Sequence, residues 1–108
     1  MHTPTTPFNV LVLGAGVSGL AMARWCVRMG AQVMVADNRS DASRLSELQA
    51  LWPHLNFVQQ DFDDNLMGLQ LWRAVYRSPG LAPVQLTAVR QWCETHNVVY
   101  GNEVDLFV

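Results

Sequence analysis

Three glycines at the spacing G-x-G-x-x-G carry the clearest chemical pattern in the chain. Gly14, Gly16 and Gly19 follow a short apolar run and open a helical pattern in "NVLVLGAGVSG". In this context Gly14 permits a tight turn, Gly16 lets backbone approach a phosphate, and Gly19 lets helix and strand pack closely. The backbone N–H groups of Val17 and Ser18, with the Ser18 hydroxyl, then face an anion at the helix N-terminus. We predict a diphosphate-bearing ligand here, the alternative being a purely structural turn.

The tripeptide "DNR" follows the second predicted strand. Asp37 lies 18 residues after Gly19, where an acid bonds the ribose hydroxyls of NAD in dinucleotide-binding domains. Asn38 and Arg39 add an amide and a guanidinium, and an amide with both donor and acceptor suits a pyrimidine edge. Asp37 could instead cap the following turn. The glycine spacing and this tripeptide together leave NAD, FAD and a UDP-linked compound open.

A sharp turn in "YRSPGLAP" follows the fourth predicted strand. Ser78 is held extended by the proline after it, Pro79, and Gly80 is free to take a positive φ. The Ser78 hydroxyl and the Gly80 N–H could therefore meet a ligand held by the glycine loop. The alternative is an ordinary turn with no ligand.

Composition excludes several kinds of chemistry. All seven basic residues are arginines, and the chain has no lysine, which a Walker P-loop and a Schiff-base enzyme both require. The arginines form no run, so a nucleic-acid footprint is missing. Only 15% of residues are charged, which favours a sheet buried on both faces or, alternatively, a face covered by a partner.

We identify no catalytic residue and no metal site. The histidines neighbour no nucleophile or second ligand, the acids of "DFDD" indicate a helix start, and the cysteines indicate buried free thiols. The residues concerned are His2, His54, His96, Asp61, Asp63, Asp64, Cys26 and Cys93.

Strand and helix patterns alternate along the chain. Strands are predicted at 9–13, 32–36, 56–59, 72–76 and 98–100, with helices at 17–29, from 41 to 52, in the acidic patch and from 83 to 96. Such alternation predicts an α/β fold: a Rossmann-like, doubly wound sheet of five parallel strands with helices on both faces. Fold analogy gives the strand order 3-2-1-4-5, with a crevice between the carboxyl ends of strands 1 and 4.

The ends of the chain differ from its middle. Residues 1–8 have neither a basic region nor a long apolar stretch, so we expect a disordered tail on a soluble, cytoplasmic protein without a membrane span. The domain itself is expected at 9–101. Residues 102–108, "NEVDLFV", are apolar without anything to bury them, so we expect an exit segment into a further domain.

The ordered set "VLVLGAGVSGLAMARW", "VMVADNRS", "YRSPGLAP" and "NEVDLF" resembles the N-terminal domain of the Mur ligases, in particular their D-glutamate-adding branch. The exit differs from that branch's "G-[DE]-[IV]-E-L-F" at Asn102 and Asp105. The resemblance implies that this domain holds the UDP part of UDP-N-acetylmuramoyl-L-alanine. The residues it assigns to the diphosphate, the uracil side and the closing turn are Gly16, Val17 and Ser18; Asp37, Asn38 and Arg39; and Ser78, Pro79 and Gly80.

The same resemblance implies what the domain leaves to others. In that family ATP and magnesium bind the central domain, and D-glutamate binds mainly the C-terminal domain. We therefore expect an excised substrate-binding domain, inactive alone, with no cofactor of its own and with those two domains as partners. The rival hypotheses are an NAD(P)-binding domain of a dehydrogenase or regulatory protein, and a small structural module.

Overall fold

The computed structural model describes residues 8–39 and 41–102, in which five strands alternate with four α-helices. The strands are β1 (Phe8–Leu13), β2 (Ala31–Asp37), β3 (Asn56–Gln59), β4 (Trp72–Arg77) and β5 (Val99–Asn102). The helices are α1 (Val17–Arg28), α2 (Ala42–Leu51), α3 (Asp64–Met67) and α4 (Thr87–His96), with a 3-10 helix at Pro83–Leu86 before α4.

The strands form one sheet in the order β3-β2-β1-β4-β5, and every neighbouring pair is parallel. Strand β1 is central: Val12 lies opposite Val35 of β2 on one side and Tyr76 of β4 on the other. The predicted α/β fold and strand order are confirmed. The chain winds in opposite directions from β1, so the carboxyl ends of β1 and β4 flank the point where the order reverses.

Both faces of the sheet are buried, as alternate side chains of β1 show. Val10 and Val12 pack with α1 and α2, whereas Leu11 and Leu13 pack with α3 and α4 in a second apolar cluster. A strand buried on both faces has no position for a charge, and this accounts for the low charge of the chain.

Most element boundaries lie within two residues of the predicted ones, and three of the differences are informative. Strand β1 begins at Phe8, which we assigned to the tail. The helix predicted from Pro83 begins as a 3-10 turn, and α-helix follows only at Thr87. Strand β5 starts at Val99 because Asn97 is left-handed (φ 55°) and Val98 donates its N–H to the Cys93 carbonyl, which closes α4. The remaining tail, 1–7, and the exit segment from 103 lie outside the described residues.

Aspartate side chains cap the starts of α2 and α3. Asp41 caps α2 by accepting from the Arg44 N–H, and Asp63 caps α3 by accepting from Asn65 and Leu66. His54 and His96 are exposed. In the ranges described, no helix is long and apolar enough to cross a membrane.

The two cysteines are buried free thiols, as predicted. Burial raises the pKa of Cys26 and of Cys93 to about 11, so both thiols stay protonated at neutral pH. Each therefore acts as a small apolar core residue.

Candidate functional site

The corner between β1 and α1 is shaped by two glycines that the fold itself requires. Gly14 has φ +97°, a conformation that favours glycine, and donates its N–H to the Ala36 carbonyl at 2.8 Å. A Cβ at Gly19 would lie 1.8 Å from the Gly14 carbonyl oxygen. Helix and strand can therefore approach this closely only without a side chain at Gly19.

Gly16 is different, because nothing in the protein's own packing requires it. Its φ of −82° and ψ of −171° suit any residue, and no described atom lies within 4 Å of where its Cβ would be. The N–H groups in the first turn of an α-helix have no intrahelical partner. Gly16, the N-cap of α1, has no side chain that could accept from them. Val17 is 88% exposed beside them. The helix start is thus open, with room for a ligand.

Asp37 ties this corner to β2. The carboxylate is 4% exposed, and each of its oxygens accepts two hydrogen bonds. One oxygen accepts from the Arg39 backbone N–H (2.9 Å) and Nε (3.0 Å), the other from the Ala15 N–H (2.9 Å) and Arg39 Nη2 (2.8 Å). The bond from the Arg39 backbone N–H is the cap of the following turn that we gave as the alternative for Asp37. Through Ala15 the same buried carboxylate also anchors the glycine loop, which the sequence did not predict.

The ionisation of Asp37 follows from these contacts. Burial alone would raise its pKa, but the hydrogen bonds from Arg39 and Ala15 and the charge of Arg39 outweigh burial. The net effect lowers the pKa from 3.8 to about 2. Asp37 is therefore a carboxylate at neutral pH, with its acceptor positions already filled.

The turn after β4 lies against the glycine corner. Ser78 donates its N–H to the Leu13 carbonyl at 2.9 Å, and a Cβ at Gly14 would lie 3.0 Å from the Ser78 Cβ. The structure therefore brings the glycine loop, Asp37 with Arg39, and Ser78 together at one edge. Asn38 and Gly80 follow at that same edge, and within 8–39 and 41–102 we find no hydrogen bond from either to the glycine corner.

Sequence reasoning missed Arg44, which lies in the first turn of α2. Its Nη2 donates to the Ala15 carbonyl at 2.8 Å, although the two residues are 29 positions apart. A cation in the first turn is unfavourable toward the helix dipole, but nothing in the sequence identifies Ala15 as its partner.

A second concave region lies at the opposite edge of the sheet. This hollow of about 420 Å³ is lined by amides such as Asn9, Gln32 and Asn56 near the amino ends of their strands. In a parallel sheet the helices begin at the carboxyl edge, so the amino edge receives helix C-termini and repels anions. The glycine corner is the better anion site.

The arrangement is suited to holding an anion rather than to making bonds. The open start of α1 offers N–H donors, whereas Asp37, the buried carboxylate, is deprotonated and fully hydrogen-bonded. In the described part of the chain no group of three or more His, Cys, Asp and Glu side chains could hold a metal ion.

Comparisons with known proteins identify the family of the chain. Residues 8–101 match the family model described as "Mur ligase MurD-like, N-terminal domain". Similar curated proteins, each named UDP-N-acetylmuramoylalanine--D-glutamate ligase, come from Polaromonas sp. (47% identity), Albidiferax ferrireducens (44%) and Ralstonia nicotianae (42%). The matches cover 92%, 92% and 94% of this chain, but only 17%, 20% and 20% of the relatives. The chain therefore belongs to the family of MurD-like Mur ligase N-terminal domains.

Proposed function

We propose that this chain binds the UDP part of UDP-N-acetylmuramoyl-L-alanine for a ligase that adds D-glutamate to it. Membership of the MurD-like family supports the class of substrate, since the similar curated proteins are named for that reaction. In this role the domain fixes one reactant in place, which accelerates a reaction by proximity without contributing a reacting group.

The observation that carries the proposal is the open space beside Gly16 at the start of α1. A diphosphate placed there would accept hydrogen bonds from the N–H groups of Val17 and Ser18 and from the Ser18 hydroxyl. The positive end of the α1 dipole would stabilise its charge. The glycine leaves room for this approach, which any larger residue would fill.

The uridine would extend from the diphosphate across the ends of β2 and β4. Arg39 is 64% exposed at its side chain, yet Asp37 fixes the plane of its guanidinium through two N–H groups. A fixed guanidinium plane offers a flat surface on which a base can stack. Asn38 would read the uracil edge, and the turn of Ser78, Pro79 and Gly80 would close on the nucleotide from β4.

The Asp37 contacts favour this reading over a nicotinamide cofactor. In dinucleotide-binding domains the acid at this position accepts hydrogen bonds from the ribose hydroxyls. Here both carboxylate oxygens are occupied, by Ala15 and by Arg39. A ribose could bond Asp37 only after breaking one of these contacts.

The remaining chemistry would belong to other domains of the enzyme. ATP and magnesium do not fit the residues here, because the glycine loop lacks the lysine that reaches the terminal phosphates. Activation of the L-alanine carboxylate by ATP and attack by D-glutamate would take place between those domains, in the cytoplasm. The present chain alone would therefore show no ligase activity.

Titration of the 15N-labelled chain tests the proposal. We expect UDP-N-acetylmuramoyl-L-alanine, and more weakly UDP, to shift the amide resonances of Val17, Asn38 and Ser78. Gly16→Val should remove these shifts while the circular dichroism spectrum stays that of the wild type, because the added Cβ meets only open space. The melting temperature should fall by only a few degrees, since valine is a poorer N-cap than glycine. Binding of NADH with no response to either uridine compound would overturn the proposal.

A further inference from the structure

Arg44 reaches the glycine loop from a helix that the proposed site does not otherwise use. The Asp41 side chain accepts from the Arg44 backbone N–H at 3.1 Å, which fixes the residue in the first turn of α2. From there Nη2 spans to the Ala15 carbonyl at 2.8 Å. The contact links the start of α2 to the peptide that precedes the open helix start.

Planarity of the peptide makes this contact consequential. The Ala15 carbonyl and the Gly16 N–H belong to one trans peptide unit, in which C=O and N–H point in opposite directions. A donor that holds the carbonyl therefore also sets the direction of the Gly16 N–H.

The neighbouring peptide is held as well. Asp37 accepts the Ala15 N–H, and the Gly14 carbonyl of that unit lies over Gly19. Two successive peptide planes are thus fixed, one by Asp37 and the other by Arg44. Gly16, with no Cβ, would otherwise rotate more freely than any other residue.

We propose that Arg44 is a positioning residue for the diphosphate site. By holding the Ala15 carbonyl it points the Gly16 N–H away from α2, so that this group joins the N–H groups of Val17 and Ser18 in binding phosphate oxygens. A cation on the carbonyl also polarises the peptide and strengthens its N–H as a donor. The inference rests on the proposed function, because it assigns Arg44 to the same anion.

Arg44→Met tests the contact directly, with Arg90→Met as the charge-matched control. Arg90 lies on α4, where it pairs only loosely with Glu94 at 3.4 Å. In the unliganded chain, Arg44→Met should shift the Gly16 amide resonance and Arg90→Met should not. Affinity for UDP should fall roughly tenfold in Arg44→Met, as expected for a hydrogen bond that involves a charged group, and by less than twofold in Arg90→Met.

A pair of substitutions at Asp41 separates positioning from simple charge. Asp41→Asn removes a negative charge near the site but keeps an N-cap residue, so UDP binding should be unchanged or slightly tighter. Asp41→Ala removes the same charge and also the cap that holds Arg44, so binding should weaken about threefold, in line with a lost cap. Net electrostatics alone would make both variants bind more tightly.

The outcomes distinguish the two proposals. If the wild type binds neither UDP nor its N-acetylmuramoyl-L-alanine derivative, the proposed function fails. If the wild type binds, yet Arg44→Met binds equally well and leaves the Gly16 resonance in place, Arg44 has no positioning role. Tighter binding by Asp41→Ala would also overturn that role.

Discussion

Two corners meet at the carboxyl edge of the sheet, and they connect strand to helix in different ways. After β1 the chain enters α1 within three residues, 14–16, so the helix start lies at the edge itself. After β4, residues 78–86 form a turn and a 3-10 helix before α4 begins. The first corner thus presents helix N–H groups and the second a turn of backbone and side chains.

Under the proposed function, this difference gives the two corners separate tasks. An open helix start suits a diphosphate, because several N–H donors and the helix dipole converge on one charge. A turn with one hydroxyl cannot stabilise that charge, but it can close over a neutral nucleoside. The two corners approach one another at Gly14, where an added Cβ would lie 3.0 Å from the Ser78 Cβ. Substitutions on either side of this contact test the division.

The largest effect is expected at Gly19. Gly19→Ala would place a Cβ 1.8 Å from the Gly14 carbonyl oxygen. Because this oxygen belongs to the backbone, no side-chain rotation can relieve the clash. We expect the free energy of unfolding to fall on the order of 3 kcal/mol or more. Chemical denaturation measures this, with Gly16→Ala as the control that should cost no more than about 1 kcal/mol, because alanine meets no clash there and is only a poorer N-cap than glycine. Equal effects at the two glycines would mean that the corner is looser than described.

Gly14→Ala should have the next largest effect on stability. The substitution should lower stability in two ways: the added Cβ is strained at a positive φ, and it lies close to Ser78. Gly30→Ala is the control for the first of these. Gly30 has φ +93°, close to the +97° of Gly14, but no described atom within 4 Å of its Cβ position. We expect about 1–3 kcal/mol for each from the strained φ, and a further loss at Gly14 alone. If denaturation experiments give the same loss of unfolding free energy for Gly14→Ala and Gly30→Ala, the Ser78 turn is not in close contact with Gly14.

Asp37 should make stability depend on pH in the acid range. Its pKa is about 2 in the folded chain and 3.8 without these contacts. A lowered folded pKa contributes stability above the unfolded value and loses it as pH falls through the folded one. About 2 kcal/mol should therefore disappear from pH 4 downward to pH 2. The control is Asp64→Asn, at an exposed acid. The Asp37→Asn variant should be less stable than this control at pH 7, and its stability should fall less between pH 4 and pH 2.

The smallest effect is expected for Ser78→Ala, at the second corner. The variant keeps the backbone bond to Leu13 and loses only a hydroxyl, so the melting temperature should stay unchanged. Affinity for the UDP substrate should fall about threefold, the value of one neutral hydrogen bond. Calorimetric titration, with Ser46→Ala on α2 as the control, measures this. An effect as large as that of Gly16→Val would place the charged group at the second corner instead.

The sequence was sufficient to predict the fold because periodic and local patterns determine it. The apolar strands, the caps at Asp41 and Asp63, and the glycines after β1 all act within a few residues. An element boundary was predicted wrongly where a residue could join either of two neighbouring elements. Val98 completes the C-terminal cap of α4 instead of starting β5.

The site was predictable in outline, but its internal bonds were not. The predicted strand order brings the carboxyl ends of β1 and β4 together, so the glycine loop and the turn of Ser78 were expected to meet. The hydrogen bond from Ala15 to Asp37 joins residues 22 positions apart in the sequence, and the bond from Arg44 to Ala15 joins residues 29 positions apart. No spacing rule relates such pairs, since each depends on how the elements pack.

The hydrogen-bond ladder of the sheet continues one residue past three of its strands. Gly14, Gln60 and Ser78 donate their N–H groups to the carbonyls of Ala36, Asp37 and Leu13. Loop amides of this kind should exchange with deuterium as slowly as the strands beside them, because opening them requires the sheet edge to fray. If this edge binds the ligand as proposed, it is already ordered before the ligand arrives, so little ordering entropy remains to be lost on binding.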